Sequence, residues 1–137
     1  MADKLDLHTA LIHAMIMMSA VDREMHNAEL GKIGELVRHL PVFAGYDPRR
    51  LPKTAVACAD MMADKDGPEH MLRAIATAVP KALRETAYAL ACDVLAADGQ
   101  TRMEEIGLLR ALRQRLAIGE LAAAALHRAA RARYAKA

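Results

Sequence analysis

The sequence predicts an all-α fold, and three observations support that prediction. Hydrophobic residues make up 54% of the chain, and most of them are Ala, Leu and Met, which are strong helix formers. β-branched residues are few and scattered, and no segment shows the strict alternation of polar and apolar residues that indicates a strand. The length of 137 residues suits one domain with a substantial core. We therefore expect a compact single domain of about seven helices.

An internal repeat sets the expected architecture, because a repeat shows which segments are structural equivalents. The segment 20–31 has a second copy at 96–107, and in each copy an Asp is followed seven residues later by a Glu. We expect two pseudo-symmetric helical repeats, at about 7–40 and 83–116, within a single domain that spans 1–137. The identical pairs are Ala20/Ala96, Asp22/Asp98, Glu29/Glu105 and Gly31/Gly107.

The first repeat predicts two helices joined by a short connection. The first helix is expected from about Asp6 to about Asp22, and the second from near Asn27 to about Leu40. Pro41 then stops the second helix, because the residue before a proline disfavours helical geometry.

The segment 41–47 is predicted to be a loop that packs on the core, since it holds the only Phe and one of three Tyr. Asp47 is expected to cap the next helix. That helix is expected to begin between Pro48 and Leu51 and to end near Asp64. Pro68 is expected to begin the fourth helix.

The second repeat follows the same plan. Pro80 is expected to begin the fifth helix, which runs to about Asp98. Thr101 to Glu104 resembles a capping box for the sixth helix, which ends around Ala117. Gly119 separates it from a seventh helix over about 120–134.

Four carboxylates occupy positions where helical spacing predicts core-facing side chains. Ionised carboxylates are rarely buried unless they are paired, hydrogen-bonded or bound to a metal ion. Something must therefore satisfy these four groups. Asp22 continues the stripe Leu11, Met15, Met18; Asp98 follows Ala87, Ala91, Val94; Glu29 precedes Ile33, Leu36, Leu40; and Glu105 precedes Leu109, Leu112, Leu116.

The duplicated Ala-x-Asp motif with its later Glu, preceded in the second copy by residues 83–91, resembles the TerB-like tellurite-resistance family. The resemblance extends from about Leu7 to about Leu116. It implies a bacterial, cytoplasmic, all-helical domain with pseudo-twofold symmetry and no established enzymatic activity. It also implies a divalent-metal site between the repeats, whose ligands would be Asp22, Glu29, Asp98 and Glu105. Arg23 departs from the family pattern, which usually has glycine after the first Asp.

Two interpretations of the four carboxylates remain open. With backbone carbonyls or water they suffice for calcium, magnesium or manganese, which prefer oxygen ligands. Alternatively, the acidic cluster is structural, with each Glu near a helix N-terminus and each Asp accepting backbone N–H bonds. His26 lies between Asp22 and Glu29, but imidazole suits softer metals, so zinc is less expected than an oxygen-preferring ion.

Composition excludes several other functions. The net charge is +2 with mixed signs, so no nucleic-acid partner is expected, and the basic residues 127–136 complement the negative end of the last helix. Cys58 and Cys92 lack metal-ligand spacing and are expected to be buried, reduced thiols. The sequence shows no signal peptide and no apolar run long enough to cross a bilayer, so we expect a cytoplasmic protein.

No nucleophile–base pair, phosphate-binding loop or cofactor fingerprint occurs in the chain. The expected function is a non-catalytic, metal-binding or scaffold module in a stress or resistance pathway, with an unidentified protein partner. The alternative is a partner-binding helical domain in stress response whose acidic cluster is only structural. A hydrolase using paired carboxylates ranks last.

Overall fold

The computed structural model describes residues 5–19, 27–98 and 103–137. These residues form seven α-helices, three short 3-10 helices and no strand, which confirms the predicted all-α class. Within the same ranges, no helix is both long and apolar enough to cross a membrane. The helices are α1 (Leu7–Ser19), α2 (Asn27–His39), α3 (Leu51–Ala63), α4 (Gly67–Ala78), α5 (Arg84–Asp98), α6 (Met103–Arg115) and α7 (Glu120–Arg133), with 3-10 helices at Pro41–Phe43, Pro48–Arg50 and Lys81–Leu83.

Helix α1 is the centre of the fold. Every side chain from Ala10 to Met18 is buried, and the helix packs against α2, α3, α4, α5 and α6. Such burial requires apolar residues on all faces of the helix and not on one stripe alone. The run Met15 to Met18 meets that requirement with side chains that adapt to irregular spaces.

Helix α5 packs along α1, and α6 and α7 both pack against α5. The Arg84 guanidinium, at the start of α5, donates a hydrogen bond to the Leu116 carbonyl just after α6, at 3.3 Å. The end of α6 therefore lies next to the start of α5, so these two helices are antiparallel. Arg133, near the end of α7, pairs with Asp93 in the second half of α5, so α7 runs parallel to α5.

The segment between α2 and α3 packs on the core, as the sequence predicts. Phe43 and Tyr46 are buried, and their rings contact the His8 ring with centroids 5.7 Å and 5.6 Å away. Nε2 of His8 donates to the Val42 carbonyl at 2.9 Å. These contacts attach the segment to the first turn of α1.

Asp47 caps the 3-10 turn that leads into α3. Its side chain accepts a hydrogen bond from the backbone N–H of Arg49 at 3.0 Å. This satisfies a donor that the helix itself leaves unpaired. The cap and the start of α3 at Leu51 confirm the sequence prediction.

One helix boundary differs from the sequence prediction, and another agrees with it. Pro80 does not begin α5, because its ψ of 154° is extended and makes it the cap of a 3-10 turn. The end of α6 agrees with the prediction: Ala117 is left-handed, with φ of +56°, and Gly119, with φ of −66°, separates the two helices as the cap of α7. The Ile118 N–H donates to the Arg113 carbonyl at 3.1 Å, which closes the helix end that Ala117 terminates.

Replacing Ala117 with glycine is expected to stabilise the protein, because glycine adopts a positive φ without the clash that a Cβ causes. The expected gain in the free energy of unfolding is about 0.5–1 kcal/mol. Urea unfolding followed by circular dichroism measures it. Ala125→Gly, at an exposed position inside α7, is the matched control and should lower stability by about 1 kcal/mol. A loss of stability in both variants would contradict the assignment of Ala117 as the helix-ending residue.

His13 is a polar residue in the middle of the buried helix α1. It is 1% exposed, its Nδ1 lies 3.1 Å from the Met71 sulfur, and its Nε2 has no hydrogen-bond partner among the residues that the structure describes. Burial lowers the pKa of His13 to about 4, and the charge of Asp6 only partly opposes this shift. The imidazole is therefore neutral in the folded protein near neutral pH.

The buried imidazole predicts acid-sensitive stability. The unfolded chain takes up a proton at His13 below pH 6.5, whereas the folded chain does so only near pH 4. Stability should thus be unaffected above pH 6.5 and fall by about 3 kcal/mol in total as the pH drops to 4. Urea unfolding between pH 7.5 and pH 4 should show a shallower pH slope for His13→Met than for the wild type.

His70→Gln, which removes an exposed imidazole, is the control for that series. If the two variants change the slope equally, burial of His13 is not the cause of the acid sensitivity.

Candidate functional site

The predicted acidic ligands belong to the helix ends of the two repeats. Glu29 is in the first turn of α2, Asp98 is the last residue of α5, and Glu105 is in the first turn of α6. Asp22 lies outside the described residues, as do Arg23, His26 and the side chains of Glu29 and Asp98. Glu105 is therefore the one predicted ligand whose side chain the structure describes.

Glu105 is a buried carboxylate, with 2% of its surface exposed. Its side chain occupies the inner face of α6, as the buried stripe Leu109, Leu112 and Leu116 predicts. A carboxylate in the first turn of a helix is stabilised by the free backbone N–H groups and the positive end of the helix dipole. The burial of Glu105 agrees with the expectation drawn from the stripe.

The corresponding face of α2 is also directed to the core. Ile33 and Val37 are buried, whereas Leu36 and Leu40 of the predicted stripe are half-buried. The face that packs most closely is therefore centred on Ile33 and Val37, one position away from the predicted one. Helix α2 packs on both α1 and α5, so it connects the first repeat to the second.

Four side chains join the first half of α2 to the second half of α5 through the end of α7. The Lys32 ammonium lies 4.8 Å from the centroid of the Tyr134 ring. The adjacent Arg133 forms an ion pair with Asp93, whose residue is 9% exposed. Lys32 donates a hydrogen bond to Glu35 at 3.0 Å, which raises the pKa of the Lys32 ammonium. The hydrogen bond that Arg133 donates to Asp93 likewise raises the pKa of the Arg133 guanidinium. Both groups therefore remain cationic at physiological pH.

These contacts bear on the relative positions of the helices that carry the predicted ligands. Glu29 precedes Lys32 by about 4.5 Å along the helix axis, and Asp98 follows Asp93 by about 7.5 Å. The first half of α2 and the second half of α5 thus both lie near the end of α7. Because α5 and α6 are antiparallel, the first turn of α6, with Glu105, lies near the end of α5.

The described side chains contain no group of three or more His, Cys, Asp and Glu residues positioned to hold a metal ion. Of the four predicted ligands, that set includes only Glu105.

The two cysteines have inert thiols. Cys58 and Cys92 are free and buried, as the sequence predicts, and burial raises the pKa of each thiol to about 12. A thiol with so high a pKa supplies almost no thiolate, which is the form that reacts and binds metal ions. Cys92 directly precedes Asp93, which pairs with Arg133 at the end of α7.

Sequence reasoning missed the contacts at the end of α7. It assigned the basic residues 127–136 to the helix dipole, whereas Arg133 pairs with a specific carboxylate. One signal was present, because Asp93 interrupts the otherwise apolar run 87–97 of α5. A single acid on a buried helix indicates a cationic partner, although it does not say which one.

Searches against family models, curated proteins and solved structures found no match to this chain.

Removing the cation from the ion pair is expected to destabilise the protein. Arg133→Gln leaves the nearly buried Asp93 carboxylate uncompensated, which should cost about 1–2 kcal/mol. Adding Asp93→Asn to that variant should recover part of the loss, because the unpaired charge is then gone. Urea unfolding measures both effects, and Arg131→Gln, at an exposed position of α7, is the control. Equal stability of Arg133→Gln and Arg131→Gln would contradict a structural role for the pair.

Proposed function

We propose that this protein is a non-catalytic module that binds a divalent cation and acts as a scaffold for a protein partner. The proposed ligands are Asp22 and Glu29 from the first repeat and Asp98 and Glu105 from the second. Calcium, magnesium and manganese are the proposed ions, because carboxylate oxygens are their preferred ligands, and zinc is the less favoured ion.

The observation that carries the proposal is the burial of Glu105, a carboxylate in the first turn of α6. Contacts among Lys32, Tyr134, Arg133 and Asp93 connect the first half of α2 with the second half of α5. This arrangement supports a common location for acidic residues from both repeats. Carboxylates that are held together repel one another. A divalent cation bound between them removes that repulsion, because each carboxylate oxygen can coordinate it.

The resemblance of the duplicated motif to the TerB-like tellurite-resistance family also supports the proposal. On that basis we propose a role in a bacterial stress or resistance pathway in the cytoplasm. The proposed partner is a protein, because the chain has mixed charge and a net value of only +2.

A second candidate function is a partner-binding helical domain in which the acidic residues are purely structural. The position of Glu105 in the first turn of α6 favours this alternative, since backbone N–H groups alone can stabilise a carboxylate there. The two candidates differ in one measurable property, which is the affinity for divalent cations.

Calorimetric titration with calcium, magnesium, manganese and zinc tests the proposal. We expect saturable binding of at least one of the first three ions, together with a rise in melting temperature, because an ion that binds only the folded state stabilises it. Asp22→Asn combined with Asp98→Asn should abolish both effects, since it removes one ligand charge from each repeat.

Asp60→Asn combined with Asp64→Asn removes the same charge at exposed positions of the α3 end and is the matched control. No heat with any ion and no shift in melting temperature would refute the cation site and favour the structural role.

A further inference from the structure

Helices α3 and α7 each expose a face that combines apolar and charged side chains. On α3, Val56 is 62% exposed, and Ala57 beside it is exposed as well. On α7, Leu121 is 86% exposed, and Ala124 one turn later is also exposed. Single exposed apolar residues are common, so neither position alone indicates a partner. The order of charges along the two faces does indicate one.

The exposed face of α3 changes from basic to acidic along the helix. Lys53 lies in the first turn, Asp60 lies near the end, and Asp64 directly follows the last residue. This order is unfavourable for α3 alone, because the helix dipole prefers acids at the start of a helix and bases at its end. The three side chains are exposed, and none forms an ion pair with another residue in the described part of the chain. They recur at three- or four-residue steps together with Val56 and Ala57, so all five share one face.

The exposed face of α7 has the opposite order of charges. Glu120 is the first residue of the helix, and Arg128 and Arg131 lie in its second half. All three are exposed, and among the residues that the structure describes they have no ion-pair partner. Leu121 and Ala124 complete this face, because they too are three or four positions from its other members.

The two faces are complementary when the helices lie side by side and parallel. The opposed pairs are then Lys53 with Glu120, Asp60 with Arg128 and Asp64 with Arg131, and the exposed apolar residues of the two helices meet between the first pair and the second. Lys53 and Asp60 are separated by about 10.5 Å along the helix axis, and Glu120 and Arg128 by about 12 Å, a difference that flexible side chains accommodate. An antiparallel arrangement would instead bring Lys53 towards Arg131 and Asp64 towards Glu120, and like charges repel.

We propose that α3 of one copy of this chain docks against α7 of a second copy, with the two helices parallel. A second copy is the occupant that fits, because the same chain presents both charge patterns and each lacks its complement within the described molecule. The contact joins unlike faces, so every copy can bind two neighbours, and the copies form rings or open chains. This contact is independent of the proposed cation site, whose residues lie on other elements.

The contact is expected to be weak. Helix α3 has 13 residues and α7 has 14, so each is about 20 Å long. A single pair of such helices buries less than the roughly 1,200 Å² at the lower limit of stable interfaces. Exposed ion pairs add little affinity, but they select one register over others. We therefore expect a dissociation constant on the order of 0.1 mM at low salt, so the chain is monomeric at a few micromolar.

Sedimentation equilibrium at low ionic strength, from about 10 µM to about 1 mM protein, measures the association. Two double variants test the charges: Asp60→Lys with Asp64→Lys on α3, and Arg128→Glu with Arg131→Glu on α7. Each variant alone should associate at least about ten-fold more weakly than the wild type, because charges of the same sign then face each other.

An equimolar mixture of the two double variants should associate about as strongly as the wild type. In the mixture, the reversed α3 face meets the reversed α7 face of the other variant, and the two unaltered faces also find each other. Recovery on mixing also shows that both variants are folded, which circular dichroism of each one checks independently.

The matched control combines Arg73→Glu with Arg110→Glu, which reverses two exposed cations on α4 and α6 and gives the same change in net charge as the α7 variant. It should associate like the wild type. A wild-type chain that stays monomeric at 1 mM would refute the proposal and leave the α7 cations to a different anionic partner. The docking of α3 on α7 is also refuted if only the α7 variant associates more weakly, or if two folded variants fail to associate when mixed.

Discussion

Burial of α1 on every side is the constraint from which the rest of the fold follows. A helix without an exposed face needs neighbours all around it, and five of the other six helices supply them. The chain meets this need by wrapping α2, α3 and α4 around α1 before α5 and α6 complete the enclosure. The single polar residue within the buried run, His13, remains neutral because no solvent reaches it.

The helix ends that carry the acidic residues differ from the core in the interactions that stabilise them. Apolar stripes determine which helix faces pack inward, whereas charged groups at the ends of those stripes need hydrogen bonds or ion pairs. Glu105 is buried in the first turn of α6, and Arg133 at the end of α7 pairs with the nearly buried Asp93 of α5. Charged groups are thus buried or nearly buried on α5 and α6, where apolar residues fill most of the inner faces.

Local patterns were enough to predict most of the fold. Helical periodicity identified the buried stripes of α5 and α6, and capping chemistry identified Asp47, because both depend on residues close together in sequence. The same reasoning failed at Pro80. The proline was taken as the start of α5, whereas it is extended and caps a 3-10 turn, and α5 begins at Arg84.

The candidate site was predictable only in part. The stripe on α6 predicted that Glu105 faces the core, since that inference needs only one helix. The contacts of Lys32 with Tyr134 and of Arg133 with Asp93 join residues far apart in the chain, and no spacing rule in a single sequence reveals such pairs. The pseudo-symmetry of the two repeats and the metal site remain predictions from the repeated motif.

The central position of α1 also bears on how the protein is made. Helix α1 is synthesised before α5, which lies along it and is complete only at Asp98. At usual rates of translation, the roughly 80 intervening residues take about 4–16 s to add. For that time the most apolar helix of the nascent chain lacks its main neighbour. The core around α1 is therefore completed only after α5 has been synthesised.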